Sequence, residues 1–127
     1  MTAEPILIVD DNVQNLKLAR LVLVTAGFDV RTAADAEEAL RVLRSYKPRL
    51  ILMDLQLPGM DGLELTRRLK SSPDTRHIVI IALTAYAMKG DDEKAYAAGC
   101  DGYVSKPVDT DNLPAFVRAH LEARDVA

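Results

Sequence analysis

The chain has no tryptophan, a single cysteine and only 5% aromatic residues. One thiol, Cys100, can form neither an internal disulfide nor a paired-cysteine metal site, which points to a reducing, cytoplasmic compartment. A positive charge excess is missing too: 16 Lys plus Arg stand against 19 Asp plus Glu, a formal net charge of −3. That balance argues against direct binding to nucleic-acid phosphates. No apolar run approaches the roughly 20 residues of a membrane span, and no cleavable export signal precedes the run that starts at Ile6. A soluble protein without membrane association is expected. Repeats, low-complexity tracts and long linkers are also absent, so residues 1–127 are expected to form one domain, with 49% hydrophobic residues to fill its core.

What the sequence does contain is a series of short apolar runs, each ending in a polar group. Ile6-Leu7-Ile8-Val9 leads to Asp10-Asp11, and Leu50-Ile51-Leu52-Met53 leads to Asp54. Ile78-Val79-Ile80-Ile81-Ala82-Leu83 leads to Thr84, and a weaker run around Tyr103-Val104 leads to Ser105-Lys106. Uninterrupted apolar runs bounded by turn residues mark parallel strands buried on both faces.

Between the runs the spacing becomes helical. Leu16, Ala19 and Leu23 share a face, and Gly27 is placed to end that helix in a left-handed cap. A second strand spans Phe28 to Thr32. Asp35 can cap a helix presenting Ala36, Ala39, Leu40 and Leu43, which must stop before Pro48. Leu63, Thr66 and Leu69 line a third helix that ends before Pro73. A fourth, Ala87 to Ala98, carries Gly90, Asp91 and Asp92 near its start and is intrinsically weak there. Leu113, Phe116, Val117 and Leu121 give the last helix one apolar face.

Strict alternation of strand and helix predicts an α/β fold: a doubly wound, five-stranded parallel sheet with helices on both faces. The flavodoxin-like order 2-1-3-4-5 is expected, and its winding reverses between strands 1 and 3. Those strands deliver Asp10, Asp11 and Asp54 to one crevice. Carboxylates gathered there repel one another unless a cation compensates. A donor set made only of oxygens selects Mg²⁺, which keeps part of its water shell and shares it with a phosphate. Lys106 adds a compact positive charge and Thr84 a hydroxyl donor, both suited to phosphoryl oxygens. In such a site the Asp54 carboxylate can attack phosphorus and become an aspartyl phosphate.

With these residues in this order, the chain resembles the receiver domain of two-component response regulators over nearly its whole length. The resemblance implies that Asp54 is the phospho-acceptor and that Asp10 and Asp11 are the acidic pair holding Mg²⁺. It further implies that the Gln56 backbone carbonyl completes the metal shell. Thr84 would be the hydroxyl that follows the phosphoryl group, Ala85 its small neighbour, Lys106 the partnering cation and Tyr103 the switch aromatic. The implied partners are a sensor histidine kinase or a histidine phosphotransfer protein as donor. A downstream protein would read the face of helix 4, strand 5 and helix 5. With no effector domain after Ala127, the chain looks like a stand-alone regulator, and the run from Leu83 to Asp91 is similar to DivK-type proteins. Receivers of hybrid histidine kinases carry similar runs.

Other readings require residues that are not there. A Mg²⁺-dependent phosphatase working through an aspartyl phosphate resembles a scheme with a second acid two residues after its nucleophile, where Asn12 follows Asp10. A flavin carrier of the same fold would need hydroxyls and glycines where Asp10, Asp11 and Asn12 would repel a phosphate. Isolated acids usually cap or turn the chain, and Asp61, Asp101 and Asp109 are read that way. One of Asp10 and Asp11 is expected to cap the first helix and complement its dipole as well. His77 is read as a turn residue, His120 as a helix-face residue and Cys100 as a packed thiol.

Overall fold

Ile6, Leu7, Ile8 and Val9 are each at most 1% exposed, as a strand covered on both faces requires. In the computed structural model of the chain, residues 3–57, 59–84, 91–105 and 109–126 are described. Strands β1 (Pro5–Val9), β2 (Asp29–Ala33), β3 (Leu50–Asp54), β4 (Val79–Thr84) and β5 (Gly102–Ser105) alternate with helices. The helices are α1 (Val13–Thr25), α2 (Ala36–Val42), α3 (Gly62–Ser71), α4 (Asp91–Ala98) and α5 (Leu113–Val126). All strand pairs are parallel and the order is β2-β1-β3-β4-β5, as expected.

Alternate strand residues feed two cores. Ile6, Ile8, Leu50, Leu52, Val79 and Ile81 pack with Ala19 and Leu23 of α1 and with Leu113, Val117 and Leu121 of α5. Leu7, Val9, Ile51, Met53, Ile80 and Ala82 pack on the other face with residues of α2, α3 and α4. The chain therefore leaves β1 toward one face and β3 toward the other. Between their C-terminal ends it opens the crevice in which such sheets hold ligands.

Local signals act as their chemistry requires. After α1, Gly27 takes φ 99°, its N–H reaches the Val24 carbonyl and the Phe28 N–H reaches that of Leu23, both at 3.0 Å. This is a Schellman closure, and it explains why β2 starts at Asp29 rather than at Phe28. Asp35 caps α2 through the Glu38 N–H at 2.8 Å, and Asp61 caps α3 through the Glu64 N–H at 2.8 Å. Because α3 starts at Gly62, its buried face is Gly62, Leu65, Thr66 and Leu69, with Leu63 only partly buried. Of the expected fourth helix, residues 87–90 lie outside the described residues.

Asp101 does more than the cap or turn former expected of it. Its carboxylate accepts from the Ile80 N–H and from Lys70 Nζ, each at 2.9 Å, while Lys70 also donates to the Ile78 carbonyl at 2.6 Å. The group ties the end of α3 to the start of β4 and to the corner before β5. Asp109 is a turn former, accepting from the Asp111 N–H at 3.0 Å. His77 is exposed, His120 bonds the Phe116 carbonyl at 3.0 Å, and Cys100 is buried, with burial pushing its thiol pKa up.

At the opposite end of the sheet from the crevice, the Tyr46 hydroxyl donates to Asp29, with Oδ2 at 3.1 Å and the carbonyl at 3.2 Å. Burial, then the Asp29 carboxylate, pushes its pKa up to about 12. The folded state thus prefers the neutral phenol, a preference fully present below the unfolded value of about 10 and lost as pH rises toward 12. Alkaline denaturation should therefore steepen across that window, and Tyr46→Phe should flatten it. An ultraviolet phenol titration should lose a tyrosine that ionises near 12 in the same variant.

Candidate functional site

Asp10 follows β1 directly, and its N–H continues the sheet by donating to the Ala33 carbonyl at 3.0 Å. Its side chain is 2% exposed and accepts the Asn12 N–H at 2.9 Å. Asn12 in turn caps α1, accepting the Asn15 N–H at 3.0 Å. The cap expected of Asp10 or Asp11 therefore belongs to Asn12, and Asp10 shapes the turn that precedes it. This frees the exposed Asp11 side chain from capping.

Asp54 is the last residue of β3 and is 2% exposed. Its Oδ1 accepts the Gln56 N–H at 3.0 Å, so Gln56 meets the end of β3 through its backbone amide. Oxygens of Asp10, Asp11 and Asp54 all lie within 4.8 Å of one another. An octahedral shell with bonds of about 2.1 Å holds its oxygens at most about 4.2 Å apart, so small side-chain rotations would converge this set on one small cation. Among the described residues the cluster is all carboxylate, a hard donor set that suits an oxygen-seeking divalent ion.

Thr84 ends β4 at 3% exposure, one residue past Leu83, the register partner of Asp54. In the neighbouring strand Ser105 pairs with Thr84 and Tyr103 with Ala82. Tyr103 is half-buried against the core shared by α2, α3 and α4. Ala85 and Lys106 lie outside the described residues. The fold thus brings Asp10, Asp11, Asp54 and Thr84 to adjoining strand ends and sets Tyr103 two residues back on β5.

Two features at the site had not been read from the sequence. Gly62 lies against the main chain of Asp54, which becomes visible only once α3 has docked. On α1, Val13, Leu18, Leu21 and Val24 are between 43% and 63% exposed, an apolar surface beginning just beyond the acids. Its signal was available: α1 holds more apolar residues than one buried stripe can take.

Residues 6–118 match the family model of the response regulator receiver domain. The chain therefore belongs to the receiver-domain family of response regulators, a family of signalling switches. It is 41% identical over 116 residues to the polar-differentiation response regulator DivK of Brucella anthropi, covering 91% of this chain and 94% of that protein. A putative response regulator from Chloroflexus aurantiacus is similar in structure, with a TM-score of 0.90 at 34% identity over 95% of this chain and 99% of that one. A CheY-like receiver domain protein from Methanospirillum hungatei gives a TM-score of 0.89 at 30% identity, covering 98% of each chain. Among the described residues no helix is long and apolar enough to cross a membrane.

If the three carboxylates hold a cation, Mg²⁺ at ten times its dissociation constant should stabilise the protein by about 1.4 kcal/mol, a rise in Tm of roughly 5 °C. Asp11→Ala and Asp54→Asn should each raise the Tm of the metal-free protein by relieving repulsion, and should shrink the Mg²⁺ response. Thermal scans with and without millimolar Mg²⁺ read both effects.

Proposed function

We propose that this receiver accepts a phosphoryl group on Asp54 from a phosphohistidine of a sensor histidine kinase or histidine phosphotransfer protein. The observation that carries the reading is the buried Asp54 carboxylate at the end of β3, within 4.8 Å of two further acids. An Asp54 oxygen attacks phosphorus, the P–N bond breaks, and the imidazole leaves with the bonding pair and is protonated. Asp10, Asp11, Asp54 and the Gln56 carbonyl would hold Mg²⁺, which neutralises charge on the transferring group when bound. Thr84 and Lys106 take phosphoryl oxygens, with Ala85 leaving room beside them. Later attack by water on phosphorus breaks the P–O bond to Asp54, releases inorganic phosphate and returns the carboxylate, so the chain catalyses only its own loading and unloading.

The exposed apolar face of α1 starts three residues beyond Asp10, which suits it to dock the protein that presents the phosphohistidine. Output follows from charge added at the strand ends: Thr84 moves toward it, Tyr103 follows, and the α4–β5–α5 face changes for a downstream protein. Reversing a 1:99 equilibrium in this way requires about 5.5 kcal/mol of differential stabilisation.

Incubation with acetyl phosphate and Mg²⁺ should add one hydroxylamine-sensitive phosphoryl group by intact mass, and Asp54→Asn should abolish it. Undiminished labelling of that variant refutes the acceptor assignment. Thr84→Ala should still be labelled, yet with beryllofluoride its amide shifts should stay near Asp54 instead of spreading to Val104 and α5. An equally wide response in that variant would exclude Thr84 as the coupling group.

A further inference from the structure

Among the described residues, positive φ angles occur at Gly27, Gly59 and Gly99, whereas Gly62, buried at the start of α3, has none. Its backbone conformation is open to any residue, and a glycine in a helix gives up stability that an alanine would keep. What glycine permits here is contact. A Cβ at this position would overlap the Asp54 carbonyl oxygen, and would stand 2.8 Å from Leu55 Cα and 3.0 Å from the Asp54 carbonyl carbon. These are main-chain atoms, which cannot swing aside as the end of a side chain can.

The contact is held from both sides. Gly62 donates its N–H to the Leu55 carbonyl at 3.2 Å, and Thr66, fully buried, donates its hydroxyl to the Gly62 carbonyl at 2.7 Å. Across the strand, the Leu55 N–H donates to the Leu83 carbonyl of β4 at 3.0 Å. Residues 54 and 55 are thereby clamped between β4 and the first residue of α3. We propose that Gly62 is a positioning residue for phosphoryl acceptance: main-chain contact with the start of α3 sets where the Asp54 carboxylate stands relative to Asp10 and Asp11. The inference rests on Asp54 being the acceptor.

The test is the second-order rate of phosphoryl acceptance from acetyl phosphate at saturating Mg²⁺, with melting temperatures recorded alongside. Misplacing reacting groups by about 1 Å costs on the order of 10²-fold, so Gly62→Ala should slow acceptance roughly 10- to 100-fold. Thr66→Val keeps the branched shape but removes the hydroxyl bond to the Gly62 carbonyl, and should slow it by a smaller factor. Thr66→Ser keeps the hydroxyl and should restore the wild-type rate. Gly102→Ala serves as the stability control, since its Cβ would meet Ile81 at 2.7 Å and His120 at 2.8 Å, and should lose stability with little change in rate. A wild-type rate in folded Gly62→Ala overturns the inference, as does an equal loss in Gly102→Ala. Should Gly62→Ala not fold, a wild-type rate in Thr66→Val overturns it instead. Those outcomes leave the acceptor reading standing, whereas a wild-type chain that takes no phosphoryl group removes both.

Discussion

A parallel strand buried on both faces has neither water nor partners for charge along its length, so its charged groups collect at its ends. In this receiver β1, β3 and β4 are apolar throughout their interiors, and Asp10, Asp54 and Thr84 stand where those strands finish. At the far end polar groups also pair: Arg49 meets Glu4 at 2.8 Å, and Tyr46 closes on Asp29. Strand order then decides which ends become a site. Helices α1 and α5 cover one face and α2, α3 and α4 the other, so only between β1 and β3 does the chain diverge and leave the acids open to a ligand.

Gathering carboxylates in that crevice works against stability, because like charges held close together repel one another. The surroundings hold them nonetheless by main-chain bonds. Asp10 accepts from Asn12, Asp54 accepts from Gln56, and the β3 end is fixed between Leu83 and Gly62. Such preorganisation holds the oxygens near one another before any cation arrives.

The rest of the molecule divides into tied and open parts. Lys70 and Asp101 bind the end of α3 to β4 and to the corner after α4, far from the strand ends that carry the acids. Among the described residues most of the large exposed apolar side chains lie on α1, where Val13 stands next to the acids and Leu18, Leu21 and Val24 continue along the helix away from them. A face that stays apolar and exposed in a folded domain is available for contact with another protein.

Strand runs, the capping acids Asp35 and Asp61, Gly27 and the terminal carboxylates were all legible in the sequence, because each depends on its neighbours along the chain. The order 2-1-3-4-5, and with it the meeting of Asp10, Asp11 and Asp54, followed from the strict alternation of elements. Other assignments depended on chain segments distant in sequence. Asp101 reads as a turn former until Lys70 and the Ile80 amide arrive from elsewhere in the chain. Asn12 rather than Asp10 caps α1 because Asp10 remains bonded to the sheet through Ala33. Gly62 resembles any loop-to-helix glycine by spacing. Its closeness to Asp54 was decided only by the docking of α3 on β3, since steric contact between remote main-chain segments leaves no periodic trace in a sequence.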